Sequence, residues 1–196
     1  AKNLVLMGDQ MQLGQPIQGT HPGDSGLSTL DYLLHNAPTI PDDMGVFLGT
    51  TYRMHSTVNN FVSEHIYEGK LEAHADNDRR TIEVPRGYRG KLNKEAGIIF
   101  VPVHHEGNTQ ASDEEVAEIK ALVDELMSST LTTAKGDRRP IGWDDMLFVT
   151  PFNHQARKLQ ETLGDRAQVG SVDKFQGREA PIVFLSMCAS DASESP

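Results

Sequence analysis

Short apolar runs alternate with amphipathic helical stretches along this chain, and this alternation restricts the fold more than any other feature of the sequence. Leu4 to Met7, Val46 to Tyr52, Ile98 to Val103, Met146 to Val149, Ala167 to Val169 and Ile182 to Met187 read as strands, apolar rather than alternating. Strands apolar on both faces belong to parallel sheets covered by helices. Helices are expected from Ser25 to Asn36, and around Val58, Phe61, Val62 and Ile66 with Ser56 or Thr57 as N-cap. Two more are expected from Asp113 to Ser128 and from Gln155 to Leu163, with Asn153 as cap of the latter and Gly164 as its stop. Ser112 with Glu115 has the spacing of a capping box, and Val116, Ile119, Val123, Leu126 and Met127 line one face behind it. An α/β fold with a parallel sheet follows.

A chain of 196 residues has room for one sizeable core, or for one domain with a piece of another. Pro38, Pro41 and Asp42-Asp43 form a polar linker, so the expected units are 1–43 and 44–196. A start at Ala1, directly before a strand-like run, reads as an excised piece of a longer protein. Neither a secretory signal nor an apolar run of the ~18–20 residues needed for a bilayer crossing is found. The single cysteine, Cys188, excludes an internal disulfide and points to a reducing, cytoplasmic setting; its apolar neighbourhood implies a buried, inert thiol. A net charge of −10 speaks against general polyanion binding by the whole surface. Six basic residues between Arg79 and Lys94 face only Glu83, and this stretch reads either as a phosphate contact or as a solvated loop. His104-His105 reads as a surface turn rather than a metal site, and Thr132 to Gly142 as a loop.

Four polar clusters follow strands, where open parallel sheets gather ligands. Gly8 to Pro16 holds Gln12, which can bond a phosphate oxygen or an attacking water without adding charge, or simply form a polar turn. Thr51 to His55 holds Arg53, whose rigid five-donor fork suits a developing phosphate charge as well as a structural ion pair. Thr150 to Gln155 runs from a strand end into a helix N-terminus, with Phe152 able to stack on a base or to pack. Val169 to Pro181 crowds Asp173, Lys174, Gln176, Arg178 and Glu179 into one loop, with Gly170 and Gly177 permitting close backbone approach.

In this order the clusters resemble superfamily 1 helicases, in particular the 5′-to-3′ group of RNA-surveillance and Dna2-like helicases. Gly8 to Pro16 resembles motif III, GDxxQLxP. Tyr52-Arg53-Met54-His55, with Phe61 and Tyr67 to Leu71, resembles YRMHP…F…FYxGxL; Thr150 to Gln155 resembles TPYxxQ; Ser171 to Glu179 resembles motif V, TVDxFQGxE. Ser186 to Ser190 is similar to bacterial members fused to a RecB-like nuclease. The resemblance implies a RecA-like, P-loop NTPase-type domain and an ATP-dependent motor using Mg²⁺, with water attacking the γ-phosphate in line. It implies Gln12 as γ-phosphate sensor and Arg53 as an arginine finger, worth ~10³–10⁵ in rate. Gly177 and Glu179 would contact the nucleotide, and Thr150 and Ser171 the backbone of single-stranded DNA or RNA. His55, Phe61 and Tyr67 would be scaffold.

The chain departs from the pattern at Gly14-Gln15, Ser56, Phe152 and Ser171, none of them a charged group assigned to ATP. No GxxxxGK(S/T) occurs, so this RecA-like unit lacks its own P-loop. The acidic Mg²⁺ motif is expected before Ala1 and the last arginine motif after Pro196. The expected role is therefore the second-domain half of an ATP cleft and strand track, inactive alone and partnered by domain 1 of the same protein. The alternative is a non-catalytic nucleic-acid-binding or regulatory module.

Overall fold

The computed structural model describes residues 2–14, 19–35 and 37–191. Its best-packed part is a parallel sheet of three strands, β6 (Met146–Val149) in the centre with β7 (Gln168–Gly170) and β8 (Ile182–Leu185) on either side. All four residues of β6 are buried, as a continuously apolar central strand requires. Met146 and Phe148 face two helices, α3 (Asp113–Leu126) and α4 (Asn153–Leu163). Val116, Ile119, Val123 and Leu126 of α3 and Leu159 and Leu163 of α4 complete that core. Phe148 stacks on Phe184 with ring centroids 4.9 Å apart. Leu147 and Val149 point to the opposite face, where Phe175 and Ala180 from the β7–β8 connection cover them. Val183 and Leu185 on that face of β8 remain open.

Local signals set the helix ends. Ser112 accepts from the Glu115 N–H at the start of α3. The carboxylate of Glu115 does not close the expected box, because it is engaged across the fold by Ser186 Oγ and the Cys188 N–H. Gly164 ends α4 at φ +85°. Asn153 is the first residue of α4 rather than its cap, and no side chain caps that end.

Elsewhere the chain differs from the sequence reading. Thr132 to Gly142 is largely a hairpin of β4 (Thr130–Thr132) and β5 (Arg138–Pro140), joined antiparallel to β3 (Thr81–Ile82). Gly136 makes its turn possible at φ +88°. Of Val46 to Tyr52 only β1 (Thr50–Thr51) is paired, parallel to β2 (Glu72–Ala73). Leu4 to Met7 and Ile98 to Val103 form no strand, and Leu4, Val5, Met7 and Phe100 are strongly exposed. No other strand among the described residues pairs with them, and an apolar run becomes a buried strand only with neighbours on its edges and faces. The first helix, α1 (Thr29–Leu34), is shorter than expected and begins at Ser28, which forms a full capping box with Asp31. Asn36, its expected end, lies outside the described residues, as do Gln15 and Pro16 of the first cluster. Helix α2 (Ser56–Ile66) is capped by His55, whose Nδ1 accepts from the Thr57 N–H, not by Ser56 or Thr57. Its buried face carries Asn59 and Ser63, while Phe61 is exposed, so the apolar stripe is not what seats it. Asn59 Nδ2 donates to the Leu71 carbonyl and Ser63 Oγ accepts from the Leu71 N–H. No described helix is long and apolar enough to cross a membrane.

Candidate functional site

Arg53 sits in the turn between β1 and α2. The buried Asn77 donates to the carbonyls of Thr51 and Met54, and Arg80 donates to that of Tyr52, so backbone polar groups on both sides of Arg53 are pinned. Tyr52 stacks on His74 at 4.7 Å. The Arg53 side chain points out of this frame, and its Nε donates to Glu179 Oε2 at 2.6 Å. Both side chains are more than half exposed. The pair brings together the second and fourth clusters, two of the residues expected to meet nucleotide.

Glu179 ends the connection from β7 to β8. Lys174 folds back so that Nζ donates to the Val169 carbonyl at 2.6 Å, and a Cβ on Gly170 would stand 2.4 Å from its Cδ. That close approach excludes any larger residue at 170 without moving Lys174. Phe175 is buried under the turn, and Gly177 takes φ +79° with the Arg178 N–H donating to the Phe175 carbonyl. Gln176 Nε2 reaches the Leu13 carbonyl at 3.3 Å, which joins the fourth cluster to the first. Glu179 precedes β8, so it approaches the sheet from a strand's amino end rather than from a carboxyl end.

Gln12 lies in an exposed loop organised by Asp9. Asp9 Oδ1 accepts from the Met11 N–H at 3.0 Å, and Oδ2 accepts from Gln12 Nε2 at 2.7 Å. The same Oδ2 accepts from the Tyr67 hydroxyl at 2.7 Å. Burial, then the hydrogen bond and charge of Asp9, push the Tyr67 phenol up to about 12.

Thr150 and Ser171 follow the register pair Val149↔Gly170 at the carboxyl ends of β6 and β7. The Thr150 N–H donates to the Gly170 carbonyl. Thr150 is 1% exposed, buried beside the Cys188 thiol, while Ser171 is partly exposed. Gln155 of the same cluster is wholly buried, bridging the Ser112 backbone to Ser186 Oγ.

The fold also holds polar groups that the sequence reading passed over. His105 is not a surface turn: its side chain is 6% exposed and sits between Ser190 Oγ and Glu115 Oε1. The cue was Glu115 at a capping position with a second serine and a histidine to choose from, but the choice depends on contacts distant in sequence. Cys188 is buried as expected, and burial pushes its thiol up. In the basic stretch, Arg79 pairs with Asp76 and Lys91 with Glu118. Among the described residues no group of three or more His, Cys, Asp or Glu could hold a metal. Two depressions, of about 540 and 260 Å³, lie at Trp143 and Arg166 and at Tyr88 and Glu125, away from Arg53 and Glu179.

Residues 27–195 match the model of the AAA domain family. The chain is 25% identical over 203 residues to the DNA replication ATP-dependent helicase/nuclease DNA2 of Gallus gallus, covering all of this chain and 18% of that protein. It is 27% identical over 202 residues to the DNA polymerase alpha-associated DNA helicase A of Schizosaccharomyces pombe, covering 96% and 29%. It is 26% identical over 203 residues to the Regulator of nonsense transcripts 1 of Caenorhabditis elegans, covering 97% and 18%. The chain thus spans less than a third of the length of these curated relatives. The match takes in three of the four clusters, and the alignment with the Gallus gallus protein covers all four. The chain belongs to the AAA domain family and, within it, to the superfamily 1 helicases of the RNA-surveillance and Dna2-like type.

Proposed function

We propose that this chain supplies the second-domain half of the ATP cleft, and of the single-strand track, of an ATP-dependent helicase or translocase. Residues 1–43 are the end of domain 1 and 44–196 the second RecA-like domain. The Arg53–Glu179 pair carries this reading, because it joins the two charged groups assigned to nucleotide on one exposed surface. Arg53 uses only Nε in that pair, and its two terminal nitrogens make no hydrogen bond among the described residues. This donor set fits a phosphate. The sequence holds no P-loop lysine, and among the described residues no group of metal ligands is found; in this reading, as the family resemblance implies, domain 1 supplies the loop and the Mg²⁺ site.

ATP with Mg²⁺ supplies the phosphoryl bond whose hydrolysis drives the motor. Arg53 directs its free N–H groups at phosphate oxygens, and Glu179 holds the guanidinium in orientation until they are engaged. Gly177, free of a side chain at φ +79°, lets the backbone approach the nucleotide. Gln12 meets the phosphate or the water from the domain 1 side. Ser171 offers its hydroxyl to the strand backbone, while Thr150 beneath it holds the sheet end together. Alone, the chain is inactive.

The test is Arg53→Ala in the full-length protein, with ATP hydrolysis and single-strand binding measured side by side. Hydrolysis collapses while binding persists; unchanged hydrolysis rejects the finger role and returns the chain to a non-catalytic binding module.

A further inference from the structure

We propose that Asp9 and Tyr67 are positioning residues for Gln12, and that through them α2 links the setting of Gln12 to that of Arg53. The inference rests on the role given to Gln12 above.

A carboxylate only accepts hydrogen bonds, and both carboxylate oxygens of Asp9 are engaged: Oδ1 takes the Met11 N–H, and Oδ2 takes both Gln12 Nε2 and the Tyr67 hydroxyl. The Gln12 N–H also donates to the Asp9 carbonyl at 3.3 Å. Because the partner is acceptor-only, the Gln12 amide must turn its NH₂ inward, and its carbonyl oxygen Oε1 is left to face outward. A carbonyl oxygen repels a phosphate oxygen and attracts the proton of a water. Of the two chemistries open to a glutamine here, the geometry therefore selects orientation of water. Without the carboxylate, the amide could flip at little cost.

Tyr67 fixes Asp9 from the other side of the linker. It is the C-cap of α2, with its N–H donating to the Ser63 carbonyl. Glu68 at φ +54° and Gly69 at φ +75° then reverse the chain, and the Gly69 N–H also reaches the Ser63 carbonyl at 2.8 Å. The Tyr67 ring lies 6.0 Å from that of Phe47. Lys70 Nζ donates to Thr39 Oγ1 at 2.7 Å and to Glu68 at 3.0 Å, which ties this turn to the linker itself. The phenol, being neutral, donates to the carboxylate without cancelling the charge that orients Gln12.

Arg53 and Tyr67 thus flank one helix. Arg53 lies two residues before the His55 cap, and Tyr67 caps the other end. Eleven helical residues span roughly 16 Å as a stiff rod. A tilt of α2 that moves Arg53 toward a phosphate also moves the hydroxyl holding Asp9. The hydroxyl is the part of Tyr67 that scaffold packing alone does not require.

The experiment is a double-variant cycle on ATP hydrolysis by the full-length protein with single-stranded nucleic acid. The proteins compared are wild type, Gln12→Ala, Tyr67→Phe and the double variant. Tyr67→Phe lowers kcat by about 10-fold, with KM for ATP within about twofold, and the double variant is no slower than Gln12→Ala alone. Asp9→Asn repeats the cycle and keeps it decisive should Tyr67→Phe fold poorly. Multiplicative losses in the double variant overturn the inference, as does a silent Tyr67→Phe beside a slow Gln12→Ala. A silent Gln12→Ala overturns the role of Gln12 itself and this inference with it.

Discussion

Arg53 and Glu179, 126 residues apart in sequence, meet with Nε 2.6 Å from Oε2, yet both stay more than half exposed. An exposed ion pair adds about 0–1 kcal/mol to stability, so its value is not structural. Arg53→Ala is expected to leave the melting temperature of the full-length protein nearly unchanged while hydrolysis falls by about 10³–10⁵. Glu179→Gln keeps the shape and loosens the grip on the guanidinium, so its loss is smaller, about 10- to 100-fold. Steady-state ATPase rates with parallel thermal melts check both. A Glu179→Gln loss exceeding that of Arg53→Ala would show that Glu179 has its own chemistry.

Tyr67 offers a spectroscopic check on its contact with Asp9. Burial, then the hydrogen bond and charge of Asp9, raise the phenol from 10.0 to about 12, against a smaller opposing effect of Gln12. A group whose pKa is raised on folding stabilises the fold fully below its unfolded value. The hydroxyl's contribution is therefore complete below pH about 10 and fades as pH climbs through about 12. The difference in tyrosinate absorbance between wild type and Tyr67→Phe should titrate near pH 12. A difference curve centred near 10 would mean that the hydroxyl is not held by the carboxylate in solution.

What the sequence made legible was local. Met146 to Val149 was readable as a buried strand because all its neighbours, α3, α4, β7 and β8, lie within reach and cover both its faces. The Ser112 cap and the Gly164 stop are likewise written in adjacent residues. Val46 and Phe100 carry the same apolar signal but find no strand to pair with among the described residues, so composition alone misassigned them. The partners of Glu115, 71 and 73 residues away, and the pairing of Arg53 with Glu179, depend on tertiary placement that no local pattern encodes. Motif order pointed to Arg53 and Gln12; it gave Asp9 no role and assigned Tyr67 to scaffold, because a hydroxyl bonded across 58 residues looks in sequence like any aromatic turn.

Asp145 makes the acid side of stability testable. Burial alone would raise its carboxyl. The Arg139 guanidinium and the Gly142 N–H outweigh burial and hold it below the ordinary 3.8. A pKa lowered on folding gives stability that is present above the unfolded value and lost as pH falls through the folded one. Asp145→Asn should cost roughly 1–3 kcal/mol near neutrality, and the gap to wild type should close below pH about 4. Urea denaturation at both acidities measures this. An equal gap at both would assign the cost to altered packing of the turn before β6, not to charge.

Gln155 falls in a cluster that resembles a strand-contacting motif, but its side chain is wholly buried. Its Oε1 accepts from the Ser112 N–H at 2.9 Å, and its Nε2 donates to Ser186 Oγ at 2.9 Å and the Ser112 carbonyl at 3.3 Å. Ser186 in turn donates to Glu115 at 2.6 Å. Gln155→Leu leaves the Ser112 N–H unpaired at the start of α3, at about 1–3 kcal/mol for that orphaned donor, while the Ser112 carbonyl keeps the Val116 N–H. Gln155→Glu is the sharper variant. Its carboxylate could still accept from Ser112, but its second oxygen would face the Ser112 carbonyl and a serine whose proton Glu115 already holds. It would also add a second negative charge beside Glu115 in a poorly solvated space. Gln155→Glu is thus expected to melt below Gln155→Leu near neutrality and to recover part of the difference in mild acid, where the new carboxyl protonates. Differential scanning at the two acidities reads the order. A Gln155→Glu protein as stable as wild type would place this side chain in solvent, and so on the strand-facing surface after all.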